Sequence, residues 1–196
     1  LDQGPIPAEP AAWVPAAASS YGHLSFDLGK AYVKIKEMVI AEFGDEANQQ
    51  YAMVEMQVQQ VIQADLVALL SALGTNHAVM ILPTDAKKPD DKPRGEFAPP
   101  LNPDEVRTAL VWKTRDDAVL QRMVNAIQLM AGGAGGLAPL NREGFQGFLV
   151  KAAQVDAGMI LGKGFMSIAM GRGVPDLTMT TIATPPEGDK SLRGGA

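Results

Sequence analysis

The chain has 196 residues, with 17 Lys and Arg against 22 Asp and Glu, a formal net charge of −5 and no cysteine. This length suits a single domain with loose ends, and a hydrophobic fraction of 46% is enough to build a core. The absence of cysteine excludes disulfides and thiolate metal sites, and the scattered cations argue against nucleic-acid binding. No apolar run reaches membrane-spanning length, so no transmembrane segment is expected.

The ends of the chain differ in composition from its middle. Residues 1–20 are rich in proline and alanine and are predicted to be an extended arm or linker, which Trp13 and Val14 could pin to a surface. Residues 21–184 are predicted to form one domain, interrupted at residues 84–103 by a long proline-rich surface loop. Residues 185–196 read as a flexible tail or linker. Because the chain starts at Leu1 rather than Met, we expect a processed product or a piece of a longer protein.

The first half predicts a strand followed by helices and a second strand. The expected elements are a strand at residues 23–28, a helix ending at Gly44, a helix from Glu46, a helix at residues 66–73 and a strand at residues 77–83. Asp65 can cap the third helix after a break near Gln63.

The second half carries the clearest pattern of the chain. A β-branched, apolar strand at residues 108–114 precedes Asp116 and Asp117, which supply N-cap chemistry for a helix that ends in the glycine run at residues 132–136. Paired strands at residues 147–154 and 158–171 and a short helix follow. This last strand pair must be antiparallel because its turn is tight. The predicted fold class is therefore α+β, with a mixed, largely antiparallel sheet and helices packed mainly on one face.

Two glycine motifs invite a phosphate-binding interpretation. Gly162-Lys163-Gly164 lies between strands, where turn chemistry explains it. Gly171 and Gly173 precede a helix, but the fuller phosphate-loop and dinucleotide patterns are missing, so a phosphate role is disfavoured. The glycines at residues 132–136 are interpreted as a helix stop or a hinge.

Other reactive residue types lack a partner pattern. His23 and His77 are the only histidines and show no metal-ligand spacing, so exposed positions or positions at the edge of the core are expected for both. Capping explains Asp116 and Asp117, and no serine has a recognisable catalytic partner. No catalytic, cofactor-binding or metal-binding residue is predicted, and no cofactor.

Methionines and large apolar residues define the expected interior. Core filling is the default role of the helical methionines, and a Met-rich face that binds an apolar partner is the alternative. These methionines are Met38, Met53, Met56, Met123 and Met130. The predicted core comprises Phe26, Leu28, Ile35, Val39, Val54, Leu69, Leu73, Val79, Ile81, Leu110, Trp112, Leu120, Val124, Ile127, Phe148, Val150, Ile160 and Ile168.

Several runs resemble one bacterial family. The Phe-Asp-Leu-Gly-Lys-Ala-Tyr-Val-Lys-Ile-Lys run at residues 26–36, together with residues 64–74, 109–118, 158–171 and Ser191-Leu192, resembles proteins grouped as domain of unknown function 3352. The likeness covers most of residues 21–193, and the arm and the proline-rich loop depart from it. The resemblance implies export to the bacterial envelope, repeated α+β units in a longer chain and no catalytic residues.

A patterned core without convergent polar chemistry favours a non-enzymatic function. We expect a structural or protein-interaction module of a larger exported bacterial protein, located in the periplasm or cell envelope. Its expected partner is another protein or a neighbouring domain of the same chain. The alternative is a small-molecule or lipid carrier with an apolar cavity between the helices and the sheet.

Overall fold

The computed structural model describes residues 14, 18–82, 107–131, 137–151 and 156–184. The predicted loop at residues 84–103, the glycine run at residues 132–136 and the predicted tail lie outside the described residues. The described elements are β1 (Ser20–Ser25), α1 (Leu28–Phe43), α2 (Asp45–Ile62), α3 (Leu66–Ala72), β2 (Asn76–Ile81), β3 (Thr108–Lys113), α4 (Asp117–Ala131), β4 (Ala138–Arg142), β5 (Phe145–Lys151), β6 (Asp156–Gly162), β7 (Phe165–Met170) and α5 (Val174–Ala183).

The seven described strands form one antiparallel sheet with the order β1-β2-β3-β7-β6-β5-β4. Helix α5 packs on β3, β6 and β7 from one face, while α3 and α4 lie on the opposite face. Helices α1 and α2 form an outer layer, since α1 packs against α2 and α3, and α2 also packs against α4. The predicted α+β class, with helices mainly on one face of a largely antiparallel sheet, is confirmed.

The two faces of the sheet carry separate cores. Beneath α5, buried Met80, Val111 and Ile160 pack with Val174 of that helix and with Val14, which is fully buried. Val14 and Ala18 of the predicted arm therefore pack into the domain, and Ser20 begins β1. On the other face, the core combines buried side chains of α3, α4, β6 and β7, which are Leu69, Ala72, Leu120, Val124, Leu161 and Met166.

Aspartates start three of the helices. The side chain of Asp27 accepts a hydrogen bond from the Lys30 amide at 3.0 Å, and that of Asp65 accepts one from the Ala68 amide at 2.7 Å. Asp116 caps α4 through the Ala118 amide at 3.0 Å. The predicted capping by Asp65 and Asp116 is confirmed.

Some predicted boundaries were wrong. The first strand ends at Ser25 rather than at residue 28, because Asp27 already caps α1. Strand β4 was not predicted, since it is short and contains Pro139, which an edge strand tolerates. Residues 158–171, assigned above to one strand, comprise β6 and β7, which the predicted turn at Lys163 and Gly164 separates.

Most of the predicted core residues are buried or half-buried, but four are exposed. Ile35 and Val54 lie on the outer helices, and Ile81 and Ile168 lie on the sheet face opposite α5. Their assignment to the core was wrong. The core-filling role was also wrong for Met38, Met53, Met56 and Met130, all of which are exposed.

Candidate functional site

The outer helices α1 and α2 form an antiparallel hairpin joined by a single residue, Gly44. The amide of Gly44 closes α1 by donating to the Ile40 carbonyl at 2.8 Å, and α2 begins at the next residue. With φ +69° and ψ −145°, Gly44 adopts a conformation that glycine alone populates readily. The hairpin can therefore turn back on itself without a loop.

A polar network joins the two helices near mid-length. The Lys36 ammonium lies 2.7 Å from a Glu55 carboxylate oxygen, and the Tyr32 hydroxyl donates to the same oxygen at 2.8 Å. The Tyr32 and Tyr51 rings meet edge to face at 5.9 Å. The Lys36 hydrogen bond holds the pKa of Glu55 below its ordinary value, while burial and the Glu55 carboxylate raise the pKa of Tyr32 to about 12. These contacts set the register of the hairpin.

One side of the hairpin faces α3. Gly29 of α1 lies so close to α3 that a Cβ atom on it would lie 3.0 Å from the Val67 carbonyl oxygen and would overlap the Ser71 hydroxyl. Lys36 follows Gly29 by seven residues, or about two turns, and therefore lies on the same side of α1. The charged pair with Glu55 thus closes the side of the hairpin that the domain covers.

The other side of the hairpin carries apolar side chains that none of the described elements covers. An open cleft of about 270 Å³ lies between the two helices, lined by Tyr32, Val39, Ala47, Gln50, Tyr51 and Val54. Ile35 is 56% exposed, Met38 69% and Val54 49%, and Val61 is exposed as well. We call this cleft, together with Ile35, Met38 and Val61, the hairpin groove.

Helical spacing explains why these side chains share one side. Ile35 and Met38 lie about 120–180° around α1 from Gly29, the residue that contacts α3. Val54 and Val61 are seven residues apart on α2 and form its matching stripe. Ile35 and Met38 therefore lie away from the contact with α3, and Ile35 lies beside the cleft-lining Val39 on α1.

Charge is distributed unevenly along the hairpin. Its tip, residues 41–50, carries Glu42, Asp45 and Glu46 and no Lys or Arg. Its base, residues 28–34 and 57–63, carries Lys30 and Lys34 and no acid. The hairpin is therefore acidic at one end, basic at the other and apolar along the groove.

A second surface that no described element covers lies on part of the sheet face opposite α5. Ile81, Ile168 and Met170 are exposed there, and Val79 and Leu110 are half-buried beside them in neighbouring strands.

The two histidines do not converge. Leu24 pairs with His77 across β1 and β2, which places His23 and His77 on opposite faces of the sheet. His77 is buried, and its Nε2 lies 2.7 Å from the Phe26 carbonyl oxygen, with the two rings 4.6 Å apart. His77 therefore links β2 to the segment that leads into α1, and the two histidines cannot share a metal ion.

The glycine motifs are structural in their observed positions. Gly162 to Gly164 form the β6–β7 turn, as predicted. At the start of α5, the Gly173 amide donates to a carboxylate oxygen of Asp156 at 3.1 Å. An incoming phosphate would therefore meet a carboxylate already positioned at this helix terminus.

Ser167 is fully buried, and its hydroxyl has no hydrogen-bond partner. It shares a sheet row with His23, but three strand spacings, or about 14 Å, separate the two. The serine and the histidine therefore do not form a nucleophilic pair. Across the described ranges, no three His, Asp or Glu side chains cluster in a way that could hold a metal ion.

Within the part of the chain that the structure describes, none of the helices combines the length and hydropathy needed to cross a membrane. Comparisons of the chain with protein-family models, with curated proteins and with solved structures gave no match. The hairpin groove is therefore interpreted from its own residues.

Proposed function

We propose that this domain is a protein-interaction module and that the helical hairpin is its binding element. The observation that supports this is a set of exposed apolar side chains beside an open cleft, on a hairpin whose register is set by caps, an ion pair and ring contacts. Soluble domains rarely leave large contiguous apolar surfaces uncovered unless these bind something. Exposed methionines add to the argument, because their flexible side chains adapt to a partner's surface.

The groove suits an α-helical partner. Two antiparallel helices present a cleft flanked by side chains at helical spacing, which an amphipathic helix can fill with its own apolar stripe. Completing the burial of Ile35, Met38, Val54 and Val61 would contribute about 1 kcal/mol each, or roughly 4 kcal/mol in total. That sum only begins to offset the cost of association, so the partner must also contact the tyrosines and valines within the cleft.

The carrier alternative has less support. The described cleft lies between two helices on the outside of the domain, whereas a carrier was expected to enclose a cavity between helices and sheet. A small cleft of about 10 Å³ beside Asp156 and Pro175 has room for no more than a water molecule. Export and the family resemblance remain predictions.

Site-specific photo-crosslinking in the cells that make the protein tests the proposal. A photoreactive residue at Ile35 should form a discrete protein adduct, because this side chain lies in the groove. The matched control is Glu37, which is two residues away and about 160° around the same helix, on its exposed side. Equal adducts from both positions, or none from Ile35, would refute the proposal. Stoichiometric lipid recovered by organic extraction would instead support the carrier.

A further inference from the structure

We propose that two copies of this chain pair through the outer edge of strand β1, so that their sheets join antiparallel about a two-fold axis. Among the described strands, β1 pairs only with β2 and lies at one end of the sheet. The Phe26 amide donates to the Thr75 carbonyl oxygen at 3.0 Å, so the even-numbered residues of β1 are those that bond to β2. The amide and carbonyl of His23 therefore point away from β2. The hairpin groove is not involved, so the proposed function does not depend on this interface.

The two edges of the sheet differ in how well they are protected against pairing. Natural edge strands carry charges, proline or bulges that prevent another strand from being added. Strand β4, at the opposite edge, has Pro139 and Arg142 among its five residues. Strand β1 has six residues, and none of them is proline, Lys, Arg, Asp or Glu. A further strand can therefore be added at β1 more readily than at β4.

Self-complementarity selects a second copy as that strand. On the sheet face opposite α5, Leu24 is 54% exposed, and nothing lies within 4 Å of the position that a Cβ atom on Gly22 would take. An antiparallel pair centred on His23 places Leu24 of each copy directly opposite Gly22 of the other, at a position where side chains lie closest. Each leucine would then fill the space that the opposite glycine leaves open.

The backbone agrees with a centre at His23. The two copies of this residue would face each other on the axis and exchange N–H···O=C bonds. A centre at Gly22 would place two glycines opposite each other and would leave Leu24 facing Ser20. A centre at Leu24 would extend the paired segment into the residues where Asp27 caps α1. The His23 centre therefore combines complete strand pairing with both contacts between leucine and glycine.

The interface is small, and the dimer is expected to be weak. A strand of six residues is about 20 Å long, and its edge buries less surface than the roughly 1,000 Å² of a stable interface. Main-chain hydrogen bonds supply the affinity in such strand additions, while side-chain contacts fix the register. We therefore expect dissociation on the order of 100 µM.

Sedimentation velocity of the complete chain over a concentration series tests the dimer, and an exchange of Gly22 and Leu24 tests its register. Gly22→Leu should weaken the dimer about fivefold, because two leucines would then compete for each space, and Leu24→Gly should weaken it similarly by removing both contacts. The double variant G22L/L24G should restore the affinity, since it rebuilds both contacts with the positions reversed. Both positions are exposed, so each variant should retain cooperative urea unfolding. A double variant that dimerises no better than the single variants would overturn the register.

Cysteine crosslinking gives a geometric readout, because the chain has no cysteine of its own. A mixture of Gly22→Cys and Leu24→Cys should form a mixed disulfide dimer on mild oxidation, since the Cα atoms directly opposite each other lie about 4.5 Å apart. Either variant alone should stay monomeric, because identical positions are then diagonal neighbours about 7–8 Å apart, beyond the reach of a disulfide. Predominant crosslinking of either variant with itself would overturn the proposal.

Amide hydrogen exchange distinguishes a second copy from other occupants of the edge. The His23 amide should exchange more slowly as the chain concentration rises from about 5 µM to about 1 mM. Full protection at the lower concentration would show that another part of the same chain already pairs with this edge, and would overturn the proposal. A chain that sediments as a monomer at about 1 mM, some ten times the expected dissociation constant, would overturn it as well. Neither result would alter crosslinking of a different protein at Ile35, which tests the hairpin groove.

Discussion

Replacing Gly74 with alanine should destabilise the domain by about 2–5 kcal/mol. Gly74 has φ +72°, a region that costs an L-residue about 1–2 kcal/mol. A Cβ atom there would overlap the backbone oxygen of Lys113 and lie 3.5 Å from its carbonyl carbon, and overpacking of this kind costs about 1–3 kcal/mol. The backbone cannot move away easily, because the Arg115 amide donates to the Ala72 carbonyl at 2.8 Å beside it.

Urea unfolding followed by circular dichroism measures this loss, and Gly173→Ala is the matched control. Gly173 has φ +71°, but nothing lies within 4 Å of the position that a Cβ atom would take, so its substitution should cost only the conformational term of about 1–2 kcal/mol. Equal losses in the two variants would refute the argument that close packing against β3 limits position 74.

Four further predictions concern polar groups. Ser167→Ala should stabilise the domain by about 1 kcal/mol in urea unfolding, because it removes a buried hydroxyl without a partner; a loss of similar size would mean that the hydroxyl is hydrogen-bonded. Asp116→Ala should lower the unfolding free energy by about 1 kcal/mol, whereas Asp116→Asn should retain most of the cap; equal losses would contradict capping. The pKa of Glu55 is lowered in the folded state, so its contribution to the unfolding free energy should be present above pH 4.5 and be lost as the pH falls through the folded pKa. Glu55→Gln should therefore reduce the fall in unfolding free energy at acidic pH. The pKa of Tyr32 is raised in the folded state, so its contribution to the unfolding free energy should be present below pH 10 and be lost as the pH rises towards 12. In urea unfolding at a series of pH values, Tyr32→Phe should remove this loss, and a variant that loses as much stability at high pH as the natural chain would contradict the prediction.

Local signals in the sequence predicted local structure well. Asp65 and Asp116 cap helices, as expected for a short acidic side chain directly before an apolar segment with helical periodicity, because its oxygen can accept from the free amides of the first turn. The turn at Lys163 and Gly164 follows equally from residue type. Fold class followed from the order of such elements.

Side-chain burial was harder to predict because several strands are apolar on both faces. In β2 the larger Ile81 was assigned to the core and is exposed, whereas the face beneath α5 buries the smaller Ala78 and Ala109. Alternation carries no information when both faces are apolar.

The groove was missed for a related reason. Periodicity shows that Ile35 and Val54 belong to apolar stripes, but it does not distinguish a stripe that faces the core of the domain from one that faces a partner. The one sequence signal for the groove was the number of methionines in the helices. Their exposure required the relative placement of α1, α2 and α3, which depends on the close approach at Gly29.

The attachment of the hairpin also gives it the mechanics of a lever. Helix α1 is about 24 Å long, and its close contact with Ser71 at Gly29 lies near one end, so a rotation at this contact would move the other end furthest. A tilt of about 10° there carries Gly44 through about 4 Å, more than a third of the spacing between packed helices. A small change in this contact would therefore displace the tip of the hairpin more than its base.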